Sequence, residues 1–172
     1  EVSDGNNENE SLQNDEEVAL MSSDEASGVC GNNLTWEFDG DSTLVISGTG
    51  QMYNYSYDDL PWYNVRENIK KVIISNGVTG IGDYAFYGCE NLIEAEIPEG
   101  VGSIGSYAFN NCGLTDITIP ASLKSISNNA FNACEELTSV HISDLTSWCN
   151  ITFGDINSNP LRYAQNLYLN NQ

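Results

Sequence analysis

The chain is predicted to be an α/β solenoid, β-rich, in which each repeat of 22 or 23 residues adds one short strand and one short helical turn behind an N-terminal β-hairpin cap. Three observations predict it. Residues 81–142 spell nearly the same unit three times, headed by Ile81, Ile104 and Ile126 at offsets of 104 − 81 = 23 and 126 − 104 = 22. Ala85-Phe86, Ala108-Phe109 and Ala130-Phe131 recur inside the copies, and Cys89, Cys112 and Cys134 stand eight residues after each leading isoleucine. A third set, Leu92-Ala95-Ile97, Leu114-Ile117-Ile119 and Leu137-Val140-Ile142, keeps a spacing of three then two. A unit this short cannot close a core alone and must stack on its neighbours.

Taken in order, residues 1–27 hold nine acids and no Lys or Arg, among Asn, Ser and Gly. Such a segment buries too little apolar surface to offset its ordering entropy, so it is expected to be a disordered acidic tether. No apolar run exceeds four residues, as at 18–21, so neither a transmembrane span nor a signal-peptide core is expected. The chain reads as a mature or trimmed exported protein. Cys30 lacks the leucine-small-small lead of a lipoprotein site, since Ser27, Gly28 and Val29 precede it.

Residues 28–68 are expected to form the cap. Leu34, Trp36 and Phe38 alternate with polar residues, Asp39-Gly40-Asp41 turns the chain, and Leu44 and Ile46 alternate again. That is a hairpin signal, and its aromatic face can cover the end of a stack that would otherwise expose apolar side chains and free strand edges.

Residues 69–172 are assigned to the solenoid: about four repeats, the last irregular, and a truncated strand. Ile69, Val72, Ile74, Val78 and Ile81 lie 23 places before Leu92, Ala95, Ile97, Val101 and Ile104 and so supply the first copy. Within each strand the inward residues alternate with a polar one, as one buried face requires. Pro98 and Pro120 then end the ladder, lacking an N–H. Ala-Phe-x-x-Cys, too short for a stable helix, is expected to close the coil as a helical or 3₁₀ turn. Toward the C-terminus the repeat loosens: Leu137 to Leu167 spans 30 residues, and an insert over 144–161 is read as replacing the Ala-Phe turn, with Trp148 and Phe153 filling the vacated space. Leu167-Tyr168-Leu169 opens a new strand, as in a fragment whose edge further repeats would cover.

The run L-x-x-A-x-I-P-x-x-V-x-x-I-G-x-x-A-F-x-x-C over residues 92–112 resembles the BspA-like leucine-rich repeat of bacterial surface proteins, also found in some protozoan parasites. The lead-in C-G-x-N-L-x-W-x-F-D-G with Leu60-Pro61-Trp62-Tyr63, and the later W-C-x-x-x-F, N-P-L and L-Y-L, are similar to the same family. The spelling departs from the common leucine-rich repeat, so no horseshoe with an asparagine ladder is implied. The resemblance implies a non-enzymatic cell-surface or secreted module that adheres to host extracellular-matrix proteins, such as fibronectin and fibrinogen, or to other bacteria.

The formal charge, 5 − 25 = −20, argues against nucleic acid and for a cationic partner. Cys89, Cys112 and Cys134 share one repeat position and are read as reduced core thiols, because equivalent side chains point in parallel. Cys30 and Cys149 are left open. No C-x-x-C pair occurs, and the one histidine, His141, is not at ligand spacing, so neither metal nor cofactor is expected. Asp39-Gly40-Asp41 reads as a plain turn rather than a calcium loop, which needs more ligands. The Asn33, Asn54 and Asn150 sequons matter only in a eukaryotic secretory host. His141 with Ser139, Ser143 and Asp144 can be written as a hydrolytic triad, a minor alternative, but an exposed strand carries such residues without a pocket or oxyanion site.

Recognition therefore falls to the exposed strand face. Stacking in register gives one column, Ile73, Glu96, Thr118, His141 and Tyr168, and beside it Lys71, Glu94, Asp116 and Ser139. Glu94, Glu96 and Asp116 form an acidic patch suited to a basic or extended peptide. The expected partner is a protein or peptide bound by a monomer with no membrane insertion; the alternative is a rigid spacer presenting another domain.

Overall fold

The computed structural model describes residues 25–170, and the tether expected over 1–27 lies for residues 1–24 outside them. Residues 25–27, expected in that tether, instead open β1 (Glu25–Gly31), which pairs antiparallel with β2 (Leu34–Asp39). Opposite Trp36 stands Gly28, where a Cβ would come 2.7 Å from the indole Nε1. The indole lies over the glycine, and only a residue without a side chain leaves it that room.

The expected hairpin is β2 with β3 (Thr43–Gly48), its turn held by the Asp39 carboxylate, which accepts the N–H groups of Asp41, Ser42 and Thr43. Parallel stacking then begins at once, because β3 pairs with β5 (Lys71–Ile74). The solenoid thus starts one strand earlier than Ile69, and the cap's second arm is also the first rung.

Each coil carries two strands rather than the one expected. The front strands continue with β7 (Glu94–Glu96), β9 (Asp116–Ile119), β11 (Ser139–Ile142) and β13 (Asn166–Leu169). A back sheet is built from β4 (Gly50–Gln51), β6 (Val78–Ile81), β8 (Ser103–Ile104), β10 (Ser125–Ile126) and β12 (Thr152–Phe153), all parallel. These carry the leading isoleucines, and most are two residues long, too short for an alternation signal.

The Ala-Phe-x-x-Cys piece is a run of tight turns instead of a helical one. Ala85, Tyr87 and Cys89 donate their N–H three residues back, to Gly82, Tyr84 and Phe86; the alternate residues Tyr84, Phe86 and Gly88 donate to Ser106, Ala108 and Asn110 on the next coil. A helix would aim every N–H along its own axis and leave none for the neighbour. The alternation needs left-handed backbone at two columns: Tyr84, Tyr107 and Asn129, and Gly88, Asn111 and Ala133, with φ between 56° and 69°.

Packed between the sheets, Phe86, Phe109 and Phe131 are fully buried and stack with centroids 5.1 and 5.4 Å apart. Trp62 caps the column at 5.7 Å from Phe86, with its Nε1–H donating to the Ala85 carbonyl at 2.9 Å. Such contacts between large apolar rings carry much of a core's stabilisation. The thiols of Cys112 and Cys134 are free, buried and bonded to the Phe86 and Phe109 carbonyls, each at 3.1 Å.

The last coil departs from expectation. β13 pairs Leu167 with Val140, not with Leu137, so the offset is 167 − 140 = 27. The additional residues lie before β12, at α1 (Leu145–Cys149), capped by the Asp144 carboxylate on the Ser147 N–H. The Ala-Phe position is retained: Phe131 donates to the Asn157 carbonyl as Phe109 does to Ala130, which puts buried Ser158 in the phenylalanine column. Trp148 and Phe153 therefore pack edge-on to each other near β12, while Phe153 occupies the isoleucine column opposite Ile126.

Candidate protein-binding face

The front strands bring every expected surface residue to one face. Lys71 pairs with Glu94 and Ile73 with Glu96; Asp116 pairs with Ser139, Thr118 with His141, and His141 with Tyr168. These side chains stand outward because each alternates with a buried neighbour, as Ala95 between Glu94 and Glu96 or Val140 between Ser139 and His141.

Lys71 makes the patch less acidic than the sequence suggests. Its Nζ lies 2.9 Å from Glu94 Oε1 and 2.5 Å from Glu96 Oε1, and these carboxylates, Glu96 foremost, hold the ammonium pKa above its ordinary value. With Asp116 the four residues sum to 1 − 3 = −2. The Thr115 hydroxyl, 2.8 Å from Asp116 Oδ2, keeps that carboxyl below the usual range, helped by His141 and Ser139.

His141 Nε2 lies 3.5 Å from Asp116 Oδ1, and the imidazole stacks on Tyr168 with centroids 4.9 Å apart and planes at 12°. Asp144, the acid of the hydrolytic alternative, is instead committed to capping α1. Its carboxylate does not orient the imidazole. Asp39, likewise, is committed to its turn, where the Thr43 N–H leads the bonds that pull its pKa down to about 2.

Two features were missed from sequence. The face extends across the cap, since Val45 pairs with Ile73, Glu37 with Val45 and Ser27 with Glu37. An open groove of about 1000 Å³ crosses the front over β5, β7 and β9, walled by Ile93, Pro98 and Thr115 beside the expected Ile73, Glu94, Glu96 and Asp116. Ile93, 52% exposed, lies outside the three-then-two spacing and gave no signal. Away from this face, Tyr84 and Tyr107 stack at 4.9 Å with planes 9° apart, an aromatic pair set outward by left-handed backbone.

Among the described residues no helix is long and apolar enough to cross a membrane. No curated protein sequence matches the chain. It is similar to a leucine rich cell surface protein from Faecalibacterium prausnitzii A2-165, at 23% identity and a TM-score of 0.54, over 86% of this chain and 44% of that one. It is similar also to a leucine-rich repeat protein from Eubacterium ventriosum ATCC 27560, at 22% identity and a TM-score of 0.51, over 70% of this chain and 44% of that one. The chain thus spans less than half the length of either structure, and at this identity the likeness is one of fold. The sequence pattern of the BspA type leucine rich repeat region matches residues 62–170 in 6 copies, well over half of the 172 residues. This chain therefore belongs to the BspA-type leucine-rich repeat family.

Proposed function

We propose that the chain is a non-enzymatic protein-binding module, exported to or beyond a bacterial cell surface, which adheres to host matrix proteins or other cells through its front strand face. The observation that supports this reading is that face itself: the front strands from β1 to β13 set outward side chains side by side, Ile73 beside Glu96 and Thr118, His141 and Tyr168 in one row. Long surfaces of this kind are what solenoids offer ligands. Family membership fits the same reading.

The test is to immobilise the full chain and pass fibronectin, fibrinogen and whole bacterial cells over it at physiological salt. Retention that falls when Glu94, Glu96 and Asp116 are replaced by Ser, or when Tyr168 is replaced by Ala, supports the face. Retention of nothing, or retention indifferent to all four changes, favours a rigid spacer.

A further inference from the structure

Strand β1 stands at the end of the front sheet, with β2 on one side and, among the described residues, no strand on the other. Its last turn is closed: the Cys30 carbonyl accepts the Tyr53 N–H at 2.8 Å, and Gly31 bridges Met52. From Glu25 to Val29 the outer row of main-chain donors and acceptors has no partner among the described residues. An open edge of this kind pairs readily with another chain, and folded proteins blunt it with lysine, proline, a bulge or a very short strand. Seven residues long, β1 is the longest strand among the described residues, holds no Lys, Arg or Pro, and is irregular only between Val29 and Gly31.

The surroundings of this edge select what it pairs with. On the outward face an open groove of about 580 Å³ is lined by Ser27, Val29, Glu37 and Val45. Val29 is 60% exposed, and Ser27, opposite Glu37, is small enough for a long side chain on an added strand to pass over it to the carboxylate. On the inward face the Trp36 indole lies over Gly28; the residue is 6% exposed, yet its Nε1–H is buried without a hydrogen-bond partner among the described residues. A strand beside β1 sets one side chain next to Gly28, where a hydroxyl oxygen can reach that N–H. Charge favours a cation here, since residues 1–24 hold eight acids and no Lys or Arg occurs before Arg66.

We infer that the free edge of β1 binds an extended segment of another protein as an added antiparallel strand. A Lys or Arg opposite Ser27 reaches Glu37, an apolar residue packs against Val29, and a Ser or Thr opposite Gly28 accepts the Trp36 Nε1–H. Main-chain hydrogen bonds supply the affinity and alternate side chains the choice of sequence. Antiparallel pairing is the more stable per residue. The inference goes beyond the strand-face reading, because the ligand is held by the edge of the sheet rather than laid across its outward columns.

The test is fluorescence anisotropy of the full chain at physiological salt with a labelled Gly-Val-Thr-Arg-Ala-Lys-Gly peptide and two N-methylated forms of it. One form is methylated at Val, Arg and Lys, the other at Thr and Ala. Alternate N–H groups of an added strand face its partner, so one form is expected to bind at least about tenfold more weakly than the other. Hydrogen exchange over residues 25–29 is expected to slow on binding. Val29→Ser and Glu37→Gln are each expected to weaken binding about two- to fivefold. Replacing the peptide's Thr by Val is expected to cost about threefold against the parent and nothing against Trp36→Phe. Equal binding of the two methylated forms, or unchanged exchange over 25–29, is attraction to a chain of charge −20 and overturns the inference. Should light scattering show a dimer that Val29→Lys dissociates, a second copy occupies the edge and the inference falls. Replacing Glu94, Glu96 and Asp116 by Ser is expected to leave peptide binding unchanged, so either reading can fail while the other stands; a loss there would place the peptide on the strand columns and overturn the edge.

Discussion

The Cys112 thiol donates to the carbonyl oxygen of Phe86 on the preceding coil, 3.1 Å away, and Cys134 does the same to Phe109. The cysteine column thus fastens one phenylalanine turn to the next instead of forming disulfides. Cys149 differs, being exposed at the end of α1. With the chain folded, Cys149 is expected to react rapidly with a thiol reagent and Cys89, Cys112 and Cys134 only on unfolding, as mass spectrometry of labelled peptides will show. Cys112→Ala is expected to cost about 1–3 kcal/mol in urea unfolding, through a lost donor and a small cavity.

Burial also makes these thiols a source of alkaline sensitivity. From an ordinary value of about 9, it pushes the Cys89 and Cys134 pKa values up to about 12 and the Cys112 value well upward. Below pH 9 both folded and unfolded chains keep their protons and the stabilisation is complete. Between pH 9 and 12 the unfolded chain releases them while the folded chain does not, so stability falls as pH rises. Each thiol contributes a slope of roughly 1.4 kcal/mol per pH unit in that window. Urea titrations at pH 7, 9 and 10.5 are expected to show the decline beginning above pH 9, and Cys112→Ala to show a shallower one than the parent.

The aromatic column gives a sharper contrast. Phe109 lies between Phe86 and Phe131 with no exposed surface, so nothing can relax into the space it leaves. Phe109→Ala is expected to cost about 3–5 kcal/mol, enough to unfold a chain of ordinary stability. Trp62→Phe keeps a ring over Phe86 but forfeits the Nε1 bond to the Ala85 carbonyl, and is expected to cost about 1–3 kcal/mol. A thermal melt in which Phe109→Ala cost less than Trp62→Phe would contradict a column held by stacking.

How much of this was legible depends on how often each feature repeats. Ile81, Phe86, Cys89 and Leu92 recur at fixed intervals, so the core and the outward columns could be read directly, His141 over Tyr168 included. The back strands could not, because Ser103–Ile104 and Ser125–Ile126 offer no alternation to detect. The last coil was misread because Ser158 stands where a phenylalanine was sought; its hydroxyl bonds to the Asp155 N–H and carbonyl, a local solution with no apolar signature. The Lys71 pairing was missed because columns show which residues adjoin across a sheet, not how far a long side chain reaches. That β7 and β9 fall in separate sheets had a visible sign, Gly113 alone between Cys112 and Leu114, but the sign is a missing residue rather than a motif.

Ala133 offers the most direct check on the turn geometry. It shares a column with Gly88 and Asn111, residues that tolerate left-handed backbone, yet holds φ at +58° with a Cβ that disfavours it. Its N–H, lacking the partner carbonyl that the next regular coil would supply, donates to the Tyr163 hydroxyl at 2.9 Å. Relief of roughly 1–2 kcal/mol of backbone strain in Ala133→Gly is set against roughly 0.4–1 kcal/mol of added freedom in the unfolded chain. A net gain of about 0.5–1 kcal/mol is expected, or about 1–4 °C in melting temperature. Ala133→Val has the opposite sign, since a β-branched residue fits that conformation worst. Tyr163→Phe, which strands the Ala133 N–H without touching the backbone, is expected to lose about 1–3 kcal/mol. Were Ala133→Gly and Ala133→Val to melt alike, the left-handed turn would not be the conformation this coil adopts in solution.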